Sequence, residues 1–121
     1  MSYIDGFVLA VPTANRERYR EVASKCGAML LEHGALRVVE GWADDVAHGK
    51  RTDFYRATEA TADETVMFSW IEWPDKATRN AAHAAMEKAM AESNELMDMP
   101  FDGARMIVGG FTPLLSLEKP V

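Results

Sequence analysis

Apolar residues along this chain follow two rhythms, alternation with a period of two and stripes with a period near 3.6. Tyr3 to Val11 is an aromatic and β-branched run closed by Pro12, which predicts a first strand. Pro12-Thr13-Ala14-Asn15 then opens a helix, with Thr13 or Asn15 as the expected cap. Tyr19, Val22, Ala23, Cys26, Leu30 and His33 recur at helical spacing, charged residues fill most other positions, and Gly34 supplies a left-handed stop. Leu36 to Val46 predicts a second strand and Glu64 to Trp73 a third. Residues 47–63 between them are polar and predict an extended hairpin arm, with a short strand near Phe54–Ala57. A connection that long inside a small domain is usually functional or partner-contacting. Pro74-Asp75 starts an alanine-rich second helix reaching about Glu92. Asn94 to Pro100 is a linker, and Arg105 to Thr112 predicts a fourth strand with Gly109-Gly110 in its interior.

The order strand, helix, strand, strand, helix, strand predicts an α+β fold of the ferredoxin-like βαββαβ kind. A four-stranded antiparallel sheet then carries two helices on one face. A sheet covered on one side should alternate apolar with polar residues, and these strands do not. Tyr3, Phe7, Leu9 and Val11 oppose Ile4, Val8 and Ala10, while Val66, Phe68 and Trp70 oppose Met67, Ile71 and Trp73. Two helices shelter one face only, so the other is expected to pair with a second copy as a dimeric α+β barrel. The competing arrangement folds residues 47–63 and the C-terminal tail back over that face.

Composition narrows the function classes. The 121 residues suit one domain, residues 1–121, with 48% hydrophobic and 26% charged residues. A formal charge of −6 disfavours general nucleic-acid binding and docking to anionic membranes. Cys26 is the only cysteine, so no intrachain disulfide and no cysteine-based metal site is expected. The chain shows neither a secretory leader nor an apolar run long enough to span a bilayer, which points to the cytoplasm.

Candidate chemistry is sparse. His33, on the apolar stripe at the end of the first helix, is expected to face the space between helix and sheet. There it is either a general acid or base, or a cap on the helix C-terminus. Asp5 shares a strand face with Tyr3, Phe7 and Leu9 and must be paired, wet or tuned for proton transfer. Arg105 is its expected partner, because first and last strands are neighbours in this fold. Asp44-Asp45 with His48 suggests turn chemistry before a metal site, since adjacent strand carboxylates point to opposite faces. His83 has no companion at ligand spacing and reads as surface or groove lining. Gly109-Gly110 suggests close approach by another backbone or a ligand. Trp42, Trp70 and Trp73 can wall an apolar pocket or pack a core. Arg56, with Lys50 and Arg51, offers a weak RNA-contacting arm. No motif for a nucleophile, metal or nucleotide meets its spacing requirement, so no cofactor and no metal are expected.

Several blocks resemble a known family. They are Tyr3-Ile4-Asp5-Gly6-Phe7-Val8, Glu32-His33-Gly34-Ala35-Leu36, Asp44-Asp45-Val46 with Gly49-Lys50, Glu64 to Ile71, and Met99 to Phe111. In this order they resemble the YbaA-like family of small bacterial proteins of unknown function. The resemblance implies a dimeric α+β barrel and no established activity. Ala104 and Tyr55 depart from it, where a lysine and a proline are the family's expected residues. Two functions follow as expectations. One is a homodimer with a small-molecule cleft between sheet and helices, with Trp70, Arg105 and Arg56 as candidate ligand contacts. The other is a cofactor-free enzyme, monooxygenase- or isomerase-like, using His33 or Asp5 for proton transfer.

Overall fold

The computed structural model describes residues 2–92 and 99–121. Strand β1 (Tyr3–Pro12) runs into a 3-10 turn (Thr13–Asn15) and helix α1 (Arg16–Glu32); strand β2 (Arg37–Trp42) follows. A one-turn helix α2 (Phe54–Ala57), strand β3 (Glu64–Trp73), helix α3 (Lys76–Glu92), a second 3-10 turn (Gly103–Arg105) and strand β4 (Ile107–Phe111) complete the order. The four strands pair antiparallel in the order β2-β3-β1-β4. This is the expected ferredoxin-like α+β arrangement. The expected Asn94–Pro100 linker lies mostly outside the described residues.

Period-two alternation places odd-numbered β1 residues toward the helices. Leu9, Val11 and Met67 pack with Tyr19 of α1, while Tyr3, Ile71 and Trp73 pack with Ala82 of α3. The even-numbered face carries Ile4 and Val8, with Phe68, Trp70, Ile107 and Phe111 beside them by register. Phe68 is 49% exposed and Phe111 60%. Neither long helix covers this face.

Local chemistry differs from expectation at several points. Gly34 does stop α1, at φ +107°, the region that favours glycine. Neither Thr13 nor Asn15 caps it by a side-chain bond. Thr13 Oγ1 instead pairs with Thr65 Oγ1 at 2.7 Å, and Asn15 Nδ2 donates to the Pro100 carbonyl at 3.0 Å. The expected strand near Phe54–Ala57 is a helical turn. Asp53 caps it by accepting from the Arg56 N–H at 2.8 Å, and that cap outweighs the strand preference of Phe54 and Tyr55. Residues 43–63 form a self-tied loop, with Tyr55 Oη donating to Val46 O and Arg56 Nη2 to Gly49 O. The loop meets one end of the even face, where Phe54 sits edge-on to Phe68 at 6.2 Å and Val66 and Ala10 are buried. The tail does not join it: Leu114, Leu115 and Leu117 are exposed.

Candidate functional site

Helix α1 stands off the sheet and leaves a cleft of about 600 Å3. Ala23, Ser24, Gly27 and Ala28 form the helix wall, and Val38, Trp42 and Met67 the sheet wall. A smaller space of about 180 Å3 shares Tyr19, Ala23, Gly27, Val38 and Glu40 with it, and runs in past Cys26 to Phe101 and Met106. The charged group common to both spaces is Glu40. Its Oε1 accepts from Tyr19 Oη at 2.9 Å and from Ser69 Oγ at 2.6 Å. Alternation explains the convergence: Glu40 lies on the helix-facing side of β2 directly opposite Ser69 of β3, and Tyr19 is the first large residue of the α1 stripe. Burial, reinforced by the adjacent Glu40 carboxylate, holds the Tyr19 phenol far above its usual range, so it stays a donor. Burial and then Glu40 also raise the Cys26 thiol, which makes it a poor nucleophile.

A second polar centre lies at the other end of β1. Asp5 is fully buried. Trp73 Nε1 donates to its Oδ2 at 2.9 Å, Arg79 Nη2 and Nε donate to Oδ1 at 2.9 and 3.1 Å, and His83 Nε2 lies 3.0 Å from Oδ2. The carboxylate, first among causes, raises the Arg79 guanidinium above its ordinary value. Arg79 and His83 are four residues apart, hence on one face of α3. Both Asp5 oxygens are thus engaged, and Asp5 fastens α3 to the sheet. The described residues give His83 Nδ1 no hydrogen-bond partner, so this nitrogen remains the centre's available group.

The anticipated site residues are dispersed. Arg105 does not pair with Asp5. The register puts Gly110 opposite Asp5 and Ile107 opposite Val8, so Arg105 lies beyond the other end of the β1–β4 ladder. There it binds Glu64 through Nη1 and Nη2 at 2.8 and 2.6 Å, and Asp102 through Nε at 2.9 Å. This pairing holds the Glu64 carboxyl down at about 2. His33 is exposed where α1 ends, because the backbone leaves the helical path at φ −91°, ψ 11°, and it does not enter the cleft. Trp70 lies on the even face, donating to Glu72 Oε2 at 2.9 Å, and Arg56 ties the 43–63 loop. What approaches Gly110 is the Tyr3 hydroxyl, with Arg79 Nη2 at 2.9 Å from where a Cβ would stand. His48 stacks on Tyr55 at 4.2 Å. Among the described residues, no group of three or more His, Cys, Asp or Glu is placed to hold a metal ion.

Sequence reasoning passed over Glu40 and Ser69, placed Tyr19 only on the helical stripe, and missed the site roles of Arg79 and of His83, which it read as surface or groove lining. For the last two the signal was present, an arginine and a histidine at i, i+4 in the helix that follows β3. Glu40 carried a weaker one, a carboxylate alternating with Val38 and Trp42.

Comparisons with known proteins agree with this architecture. A family described as a protein of unknown function (DUF1428) matches residues 2–103. The chain is 50% identical over 117 residues to the uncharacterized protein YbaA of Escherichia coli strain K12, covering 95% of this chain and 98% of that one. The same figures hold for YbaA of Shigella flexneri. Among solved structures, a dimeric ferredoxin-like protein from an uncultured marine organism aligns over 98% of both chains, with a TM-score of 0.61 and 10% identity. That likeness supports the fold. No helix among the described residues is long and apolar enough to cross a membrane. With a match over most of its length and half its residues shared with YbaA, the chain belongs to the DUF1428 family, the YbaA-like proteins of unknown function.

Proposed function

We propose that this protein is a cytoplasmic homodimer that binds a small molecule in the cleft between α1 and the sheet. The carrying observation is the cleft itself, apolar on both walls with a hydrogen-bonded carboxylate, phenol and hydroxyl at the junction of its two spaces. Apolar concavities with a few convergent polar groups are the usual form of small-molecule sites. Support for the dimer comes from the exposed apolar even face, which a second copy buries sheet to sheet. The solved ferredoxin-like relative is itself described as dimeric. A lone unpaired cysteine suits a reducing compartment.

Two measurements test this reading. Sedimentation at micromolar concentration is expected to give twice the 13.4 kDa chain mass, and Phe68→Asp to return it to one chain. A wild-type particle of single-chain mass overturns the dimer. For the cleft, the neutral fluorophore N-phenyl-1-naphthylamine is expected to bind the wild type and to be excluded by Ala28→Trp, which plugs the mouth from an exposed position. Equal binding to both proteins overturns the cleft.

The Asp5–His83 contact favours a second reading, proton transfer by a cofactor-free enzyme through the outward nitrogen of His83. Its test is solvent-deuterium incorporation into a bound carbonyl compound, abolished by His83→Gln. Exchange that survives this substitution removes the reading.

A further inference from the structure

The cleft carries charge in a pattern that selects among ligands. Its rim on α1 holds Arg16 and Arg20, one helical turn apart, with Ser24 a further turn along. Arg16 lies over the Trp42 ring at 5.3 Å, so the indole takes one face of the guanidinium and leaves its edge donors at the mouth. Among the described residues Arg20 makes no ion pair and no hydrogen bond. Two guanidinium groups at one opening, in a molecule of net charge −6, make a local anion-attracting point against the field of the whole.

On the sheet side, edge strand β2 carries the opposite charge in Glu40, itself exposed. Tyr19 and Ser69 both spend their donors on Oε1 of Glu40. Oε2 receives no hydrogen bond from the described residues, and an ionised carboxylate oxygen offers only acceptor sites. Between rim and Glu40 the walls are apolar. At Gly27 the helix comes close to the sheet: a Cβ there would touch Val38 Cγ1 at 3.7 Å and Val38 Cβ at 3.9 Å, both ordinary contacts. Packing therefore does not demand a glycine in mid-helix.

Building on the small-molecule reading above, we propose that the ligand class is an aromatic or alicyclic carboxylate bearing a distal hydroxyl or amine. Its anion binds Arg16 and Arg20, its ring lies along the sheet wall of Val38, Trp42 and Met67, and its distal group donates to Glu40 Oε2. Fork-shaped guanidinium groups match a carboxylate in two-bond geometry. A carboxylate oxygen with unspent lone pairs favours ligands that carry a donor over analogues lacking it.

Calorimetric titration of the full chain at pH 7 with three probes tests the class: 4-hydroxyphenylacetate, phenylacetate, and the neutral 2-(4-hydroxyphenyl)ethanol. The expected result is that 4-hydroxyphenylacetate binds at least tenfold tighter than either of the others. Arg20→Gln is expected to erase its advantage over the alcohol, and Glu40→Gln its advantage over phenylacetate, with circular dichroism showing both variants folded. Equal affinity for all three probes, each blocked by Ala28→Trp, overturns the class and leaves the cleft standing. No binding by any of the three overturns the class, and if N-phenyl-1-naphthylamine also fails to bind, the cleft falls with it. A tenfold preference that persists in both charge variants overturns the assignment of Arg20 and Glu40.

Discussion

Asp5 shows how one residue organises its surroundings. A carboxylate with no solvent contact needs every lone pair engaged, and Trp73, Arg79 and His83 supply those donors. Replacing it with alanine strands Trp73 Nε1 and leaves Arg79 without its counter-charge. Asp5→Ala is therefore expected to cost on the order of 3 kcal/mol, read as a lower urea midpoint at unchanged slope. That Asp5 must be paired was legible from its apolar strand face. Its partner was not, because neighbouring strands do not reveal register, and a shift of a few residues separates Arg105 from it. Arg105 instead draws Glu64 down to about 2 from 4.5. A depressed folded value means the pair's stabilisation is present above about pH 4.5 and is lost as the pH falls through 2. Denaturation midpoints of the wild type and Glu64→Gln are expected to differ at pH 6 and to converge by pH 2.

At the scale of elements, long periodic segments declared themselves and short ones did not. The limits of β3 and the glycine stop of α1 match expectation because alternation and φ-permissive residues act locally. Residues 47–63 form no extended arm, because their order comes from side chains that close on their own backbone, notably Asp53, Tyr55 and Arg56. Such contacts have no periodic trace. Asp53 accepts from the backbone N–H groups of Arg56 and Gly49, and Arg56's N–H is the main reason its carboxyl sits below the usual range. Asp53→Ala is expected to open this turn, seen as faster amide exchange at Arg56 and Ala57 while the β1–β3 ladder keeps its protection. Strand β4 is shorter than expected for a similar reason. Asp102 accepts from Ala104 N–H at 3.0 Å and holds Gly103–Arg105 as a 3-10 turn.

For the whole molecule, the sheet has one face built for helices and one for something else. Alternation made both faces visible, since it needs no tertiary knowledge. The cleft was expected only in outline, because the distance at which α1 rides over the sheet depends on small residues whose effect is collective. If the even face joins two copies, folding and association are linked. The thermal midpoint is then expected to rise with chain concentration, by several degrees between 1 and 100 μM, as mass action requires. Phe68→Asp is expected to remove that dependence and to lower the midpoint at all concentrations.

Cys26 lines the inner space and its thiol is held protonated by burial and by Glu40. Such a group alkylates slowly, and it borders the same inner space as Glu40. Because no second cysteine competes with it, iodoacetamide uptake by the intact protein becomes a built-in occupancy gauge. A compound seated against Glu40 is expected to slow that uptake in proportion to the fraction of chains it fills.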